Sequence, residues 1–229
     1  MKKKGSKRFR KISDLQKEKN AINFDTAISN VKKNCTAKFD ESIDLSVLLN
    51  LKQKKEEFNL RTVVNLPNGN GKKIRVAVLC DDTKIEEAKK SGADLFGSET
   101  LINDITAGKI NFDKLVSTPG MMSKMGKLGK ILGPKGLMPN PKLGTVTNDV
   151  QSAVKALKSG QIEIKNDKDG NLGLSIGKKS FDDKKLKENF DTLMQTFTKE
   201  KPTGIKGDFV ISTYLTSTMG LSYKLKLGK

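Results

Sequence analysis

The chain contains no histidine and no tryptophan. Histidine is the commonest general base, a frequent metal ligand and the base of Ser/His and Cys/His nucleophilic pairs, so its absence excludes those catalytic designs. Acid and base catalysis by carboxylates or lysines stays formally open. Aromatic residues make up only 5% of the sequence, and no stretch has the glycine and aromatic pattern of an RNA-recognition motif. Binding of single strands by base stacking is therefore disfavoured.

Cysteines and long apolar runs are also scarce. Cys35 and Cys80 are the only cysteines and form no CxxC pair, which predicts two small buried side chains and no metal site or other cofactor. No apolar run reaches the length of about 18 residues that a membrane-spanning helix needs. The basic start of the chain also leads into no apolar segment of a secretion signal. We expect a soluble, cytoplasmic chain with no membrane partner.

Positive charge is abundant. The 229 residues hold 44 Lys and Arg against 26 Asp and Glu, a formal net charge of +18, which is more than solubility requires and indicates a polyanionic partner. Recognition of the backbone and grooves of a structured nucleic acid fits best. Residues 1–11 carry seven basic groups and no acid. They indicate a flexible basic arm, with a merely solvated tail as an equal alternative.

Hairpin and helix patterns occupy both ends of the chain. The spacing of apolar residues predicts a helix over 25–33 and a strand in which Phe39, Ile43, Leu45 and Val47 alternate with polar residues. A second strand is predicted over 60–66, and it ends at the glycine-rich stretch 67–71. Towards the C-terminus, the patterns predict a hairpin of 161–165 with 172–176, a helix capped by Ser180 with Asp183, and a hairpin of 209–217 with 221–227.

The middle of the chain alternates between strand and helix patterns, a rhythm typical of a small parallel α/β layer. After a glycine- and proline-rich segment at 120–144, Asp149 is predicted to cap a further helix over 150–158. We predict a two-domain α/β protein, in which residues 1–66 and 160–229 form a discontinuous terminal domain and residues 67–159 are inserted. The strands and helices predicted in the middle are 74–80, 84–91, 93–96, 98–107 and 115–117.

The densest local motif lies at 128–142. Residues 114–148 hold six lysines and no acid, and exposed glycine N–H groups there can cradle phosphates. The motif lacks the GxxxxGK[ST] spacing of a P-loop. The residues alone slightly favour the alternative of a rigid connecting loop, whose prolines and glycines serve only its shape.

A second candidate combines the tip at 216–220 with the segment 38–42. Hydroxyl groups, glycine-exposed backbone and one lysine suit contacts to ribose 2′-OH groups and phosphates. Ser, Thr and Gly are also ordinary residues of hairpin turns, so composition leaves both interpretations open.

The run at 128–142 (LGKILGPKGLMPNPK), continuing into Gly144-Thr145-Val146, closely resembles the signature of the bacterial large-subunit ribosomal protein L-one family. The resemblance covers essentially the whole chain, from Lys7-Arg8-Phe9-Arg10 onward. Shorter matches lie at 36–41, 91–94, 112–113, 162–163, 165–168 and 218–220.

The resemblance implies a split α/β terminal domain, with antiparallel hairpins packed on helices, and an inserted Rossmann-like, three-layer α/β domain. It implies a monomeric, non-enzymatic protein of the cytoplasmic ribosome that binds large-subunit ribosomal RNA. It also implies a role in the mobile stalk beside the tRNA exit site, where deacylated tRNA is released, and repression of the protein's own messenger RNA through a mimic of the ribosomal site. The RNA contacts carried over are Lys38, Phe39, Ser42, Lys165, Ser212, Thr216, Ser217, Thr218, Met219 and Gly220.

Two departures from the family pattern stand out. Residues 52–57 (KQKKEE) and Arg61-Thr62 replace a glycine-rich stretch, and Leu221 replaces a proline. Two other classes compete with the ribosomal interpretation. One is a nucleotide-dependent enzyme, which would need a phosphate-binding fingerprint or a catalytic constellation that this sequence lacks. The other is a non-specific chromosomal or membrane-surface basic protein, which would protect no single site in an RNA footprint.

Overall fold

The computed structural model describes residues 6–15, 20–50, 60–81, 84–202, 205 and 207–226. The predicted mixed α/β class is confirmed. In chain order the elements are α1 Lys7–Leu15, α2 Phe24–Asn34, β1 Ser42–Leu49, β2 Arg61–Asn65, β3 Val76–Leu79, α3 Ile85–Lys90, β4 Leu95–Gly97, α4 Glu99–Thr106, β5 Lys114–Ser117, α5 Met122–Met125, α6 Gly129–Leu132, α7 Val150–Lys158, β6 Gln161–Lys165, β7 Asn171–Lys178, α8 Asp183–Lys199, β8 Val210–Ser217 and β9 Tyr223–Lys224.

The chain divides into two compact units. One consists of Met1–Gly71 with Ile164–Lys229, and the other of Lys72–Glu163. We call them the terminal unit and the inserted unit. The predicted boundaries lay at 66/67 and 159/160, a few residues earlier at each crossing. Residues 52–59, which hold most of the first departure from the family pattern, lie outside the described residues.

The terminal unit is built on an antiparallel sheet in the order β7-β1-β8-β9. Alternate residues of β1 are buried (Ile43, Leu45, Val47 and Leu49), as expected for a sheet with one face on a core. On that core side, α2 packs on β8 and α8 on β7. The rings of Phe24 and Phe190, one from each helix, stack with their centroids 4.2 Å apart. The alternate residues of β1 on the opposite face are half-buried or exposed.

The predicted hairpin of 161–165 with 172–176 is wrong. β7 pairs with β1, whereas β6 pairs with β2 in a separate two-stranded sheet. The Asp167 carboxylate accepts hydrogen bonds from the N–H groups of Asp169 and Asn171, and Asn166 N donates to Leu60 O at 3.2 Å. The intervening segment therefore forms a turn that sends the two strands to different partners.

The inserted unit has a parallel sheet in the order β4-β3-β5. All four residues of β3 are buried. Ala77 and Leu79 face one apolar cluster, with side chains from α4 and from 119–132, and Val76 and Val78 face another, with α3 and α7. These are the three layers that the resemblance implied. The Asp149 carboxylate accepts from Ser152 N at 3.1 Å, which confirms the predicted cap of α7.

The segment 120–144, predicted as a glycine- and proline-rich connection, is largely helical. Short 3₁₀ turns at Pro119–Met121 and Gly126–Leu128 alternate with α5 and α6, and a further turn spans Pro141–Leu143. The helical period was hidden by the glycines and lysines between the apolar residues. It becomes visible in the buried set Met121, Met125, Leu128 and Leu132, which packs on the sheet.

Three smaller predictions also need correction. The basic arm is not free over its described part, because α1 begins at Lys7 and Ile12 on it is buried; residues 1–5 lie outside the described residues. Ser180 does not cap α8, because its hydroxyl donates to Asp40 and the helix begins after Asp182. Phe39 lies before β1 rather than in it and is exposed.

Candidate RNA-binding surface

The chain turns sharply at the end of β8, where the predicted tip residues lie. Gly220 N donates to Ser217 O at 3.2 Å and closes the turn. A Cβ on Gly220 would lie 2.3 Å from Ser217 Oγ, closer than atoms approach. Any other residue at position 220 would therefore displace Ser217 or open the turn.

Thr218 joins this turn to the first residue of β1. Thr218 N donates to Ser42 O at 3.1 Å, and Ser42 N donates to Thr218 Oγ1 at 3.0 Å. The threonine hydroxyl thus closes a reciprocal pair of bonds between the two segments that the sequence predicted to lie together.

Glu41 lies beneath the turn and is fully buried. One of its carboxylate oxygens accepts from Ser217 Oγ at 2.8 Å and from Met219 N at 3.2 Å, and the other accepts from Ala37 N at 3.0 Å. Burial by itself raises the pKa of the Glu41 carboxyl, but these hydrogen bonds and the Arg8 guanidinium outweigh burial, so the pKa lies below its ordinary value. The ionised Glu41 carboxylate therefore contributes to the stability of the folded protein at neutral pH. This contribution is lost as the pH falls through the folded-state pKa of Glu41.

The outer surface of the turn is partly apolar. Phe39 is 54% exposed and Met219 is 51% exposed. The Glu41 carboxylate accepts from Met219 N and from Ala37 N, two residues before Phe39. Lys38 is exposed beside them. Large apolar side chains that are exposed close to one another can form part of a contact surface for a partner. We call residues 38–42 with 216–220 the tip.

Lys165 and Ser212 lie away from the tip and line a groove of about 830 Å³ on the outer face of the β7-β1-β8-β9 sheet. Ser46, Gly173 and the exposed Tyr214 also line it. At about 3.3 Å per residue, Ser212 lies roughly 16 Å along β8 from Ser217. The ten predicted contacts therefore fall into a tip cluster and a groove cluster within the terminal unit.

Not every predicted residue presents its side chain to the surface. Ser217 is 3% exposed and its hydroxyl is bonded to Glu41, so it supports the tip from below. Thr216 and Ser42 are half-buried. Sequence reasoning placed Glu41 inside the candidate segment 38–42 without giving it a role, and it missed Arg8, although both residues lie within segments that match the family. The signal for Glu41 was an acidic residue inside a segment proposed to bind an anion.

The lysine-rich motif at 128–142 belongs to the inserted unit. Lys130, Lys135 and Lys142 are exposed, while Leu128 and Leu132 are buried in the core and Ile131, Leu137 and Met138 pack against it. The apolar residues of this segment therefore have a structural role in the inserted unit, whereas binding of phosphates by its glycines and lysines stays a prediction.

Cys35 and Cys80 are buried, as predicted, and neither forms a disulfide. Burial raises the pKa of the Cys35 thiol. Among the described residues, no three His, Cys, Asp or Glu side chains lie close enough together to hold a metal ion. In the same part of the chain, no helix is long and apolar enough to cross a membrane.

Comparison with known proteins identifies the family. The pattern of the ribosomal protein L1p/L10e family matches residues 31–221. The large ribosomal subunit protein uL1 of Pelagibacter ubique is 59% identical over 225 residues, covering 98% of this chain and 98% of that protein. The proteins of the same name from Kosmotoga olearia and Rickettsia canadensis are 47% and 44% identical, covering 97% of this chain and 96% and 93% of their own lengths.

The family pattern covers most of the chain, and the relatives align with almost its full length. The chain belongs to the ribosomal protein L1p/L10e family. Membership confirms the resemblance stated from the sequence. It also confirms that the chain is not an enzyme, because proteins of this family are structural.

Proposed function

We propose that this chain is a structural constituent of the large subunit of the cytoplasmic ribosome and that it binds large-subunit ribosomal RNA through the tip of its terminal unit. Family membership supports the first part. The observation that carries the second is the hydrogen bonding of the tip, where the buried Glu41 carboxylate binds the backbone N–H groups of Ala37 and Met219 beside two half-exposed apolar side chains, Phe39 and Met219.

The tip suits a folded RNA because its recognition groups are held in place before binding. A preorganised surface loses little conformational entropy when it binds. Lys38 supplies a cation for phosphate, and the backbone of 218–220 supplies groups for phosphate and 2′-OH contacts. In this proposal Ser42, Thr216 and Ser217 keep the tip in shape, and Lys165 and Ser212 form a second contact in the groove.

We propose two further partners, both of which the resemblance to the family implies. An RNA that copies the shape of the ribosomal site, such as a segment in the protein's own messenger, competes for the tip and so allows repression of translation. As part of the mobile stalk, the protein takes part in releasing deacylated tRNA from the exit site. We propose that the free protein that binds these RNAs is a monomer.

Filter binding to a large-subunit ribosomal RNA fragment tests the assignment of the tip. Thr218→Ala removes the hydroxyl that accepts from Ser42 N but keeps the backbone bond to Ser42 O, and Met219→Asp places a carboxylate against phosphates. Each variant is expected to weaken binding at least about tenfold, or roughly 1.4 kcal/mol. Lys135→Ala on the inserted unit removes an exposed charge and is expected to change binding much less.

Circular dichroism establishes that all three variants are folded before binding is compared. A large loss for Lys135→Ala together with near-normal binding by the other two variants would move the site to the inserted unit. Binding of a messenger leader that does not compete with the ribosomal fragment would contradict the repression proposal alone.

A further inference from the structure

Arg8 connects helix α1 to both sides of the tip. Its Nε donates to Thr36 Oγ1 at 2.7 Å, and its Nη2 donates to Met219 O at 3.0 Å. The same Nη2 lies 4.0 Å from the buried carboxylate of Glu41. One guanidinium thus joins the segment before β1 to the turn after β8.

These contacts explain how a carboxylate can be buried beneath an RNA site. A buried ionised group is costly unless it is paired and hydrogen-bonded. The N–H and O–H donors around Glu41 satisfy its oxygens, and Arg8 supplies the opposing charge. Met219 N donates to Glu41, and Met219 O accepts from Arg8. Both backbone polar groups of Met219 are therefore hydrogen-bonded within this cluster.

We propose that Arg8 is a positioning residue for RNA binding, through which α1 holds the Met219 turn in its binding conformation. This inference rests on the function proposed above. It assigns the N-terminal helix to the RNA site although α1 lies outside the tip. Arginine suits the role because its planar fork offers donors in a fixed geometry to Thr36 and Met219 at once, whereas lysine offers one point charge.

The alternative is a direct contact between Arg8 and a phosphate, since its side chain is 36% exposed. The two roles respond differently to salt. A phosphate contact releases counterions, so its loss lowers the log–log salt slope by about 0.7 to 0.9. Loss of a positioning residue weakens binding without changing the number of phosphate contacts, and the slope stays as in the wild type.

The test compares Arg8→Lys and Arg8→Ala with the control Lys11→Ala in binding to the ribosomal RNA fragment at several salt concentrations. Lys11 is exposed on the same helix, so Arg8→Ala and Lys11→Ala remove the same charge. We expect both Arg8 variants to weaken binding at least about fivefold, or roughly 1 kcal/mol, with an unchanged salt slope. We expect Lys11→Ala to change binding less than twofold.

The amide resonance of Met219 in the free proteins provides a readout that does not depend on RNA. It is expected to shift in Arg8→Lys and to stay in place in Lys11→Ala, with similar melting temperatures for both. Near-normal binding by Arg8→Lys, or a smaller salt slope in Arg8→Ala, overturns the positioning role. Failure of the wild type to bind the fragment overturns the proposed function instead, and the two failures are therefore distinguishable.

Discussion

Single buried polar residues join segments that are distant in the sequence. Glu41 does so beneath the tip, and Asn189 does so on the buried side of α8. Asn189 donates to Gly69 O at 2.9 Å and to Ile176 O at 2.8 Å, and it accepts from Asn68 N at 3.2 Å. The side-chain amide of Asn189 therefore joins two other parts of the terminal unit, residues 68–69 and β7, to helix α8. In an otherwise apolar stripe such a residue looks like an interruption, whereas its bonds specify which segments meet.

Replacing Asn189 should destabilise the terminal unit more than its size suggests. Asn189→Ala leaves buried backbone groups without partners, so we expect a loss of roughly 2–4 kcal/mol in the free energy of unfolding. Gln195→Ala, at an exposed position of the same helix, should change it by less than about 0.5 kcal/mol. Urea unfolding followed by circular dichroism measures both. Equal small losses would show that the Asn189 bonds contribute little.

At the scale of elements, glycine-rich composition is a poor guide to the segment 119–132. Glycine lowers helix propensity by about 1 kcal/mol per residue relative to alanine, and for that reason the segment was predicted as a connection. Burial of Met125 and Leu128 against the parallel sheet outweighs this cost in the folded unit. The helical turns also place the intervening lysines on the opposite, exposed side.

This explanation predicts a difference between two adjacent residues. Leu128→Ala removes a buried side chain from the helical face, and we expect it to cost roughly 2–5 kcal/mol. Lys127→Ala, on the exposed side, should cost less than about 0.5 kcal/mol. Thermal unfolding of the two variants makes the comparison. If Leu128→Ala were as mild as its neighbour, the segment would not be packed as described.

At the scale of the molecule, the chain forms two units with separate cores. The inserted unit holds a parallel sheet and an apolar cluster on each of its faces, with residues that all fall within Lys72–Glu163. We infer that this stretch contains the information needed to form its own core.

A protein consisting of residues 72–163 should therefore fold alone. It retains both clusters and the ion pair of Lys114 with Glu163, whose charged atoms lie 3.7 Å apart. We expect dispersed amide resonances and a cooperative urea transition. A spectrum without dispersion, together with a gradual unfolding curve, would mean that the inserted unit needs the terminal one.

The net charge of +18 belongs to the whole molecule and predicts binding that depends on salt. Each cation paired with a phosphate contributes about −0.7 to −0.9 to the log–log slope of affinity against salt. Because the tip adds apolar and backbone contacts, binding to the ribosomal fragment should persist at salt concentrations that abolish binding to a random duplex. Filter binding to both RNAs over a salt series tests this. Equal loss for both would favour a generic basic protein.

The sequence by itself determined the features that depend on neighbouring residues. The helices at α2 and α7, the alternation of β1, the pairing of β8 with β9 and the family signature at 128–142 are all local patterns. Tertiary structure decided which strand β6 joins, that 119–132 is helical, and that Arg8 and Glu41 meet at the tip. Local periods are set within a few residues, whereas strand partners and the hydrogen bonds at the tip depend on contacts between segments up to some two hundred residues apart.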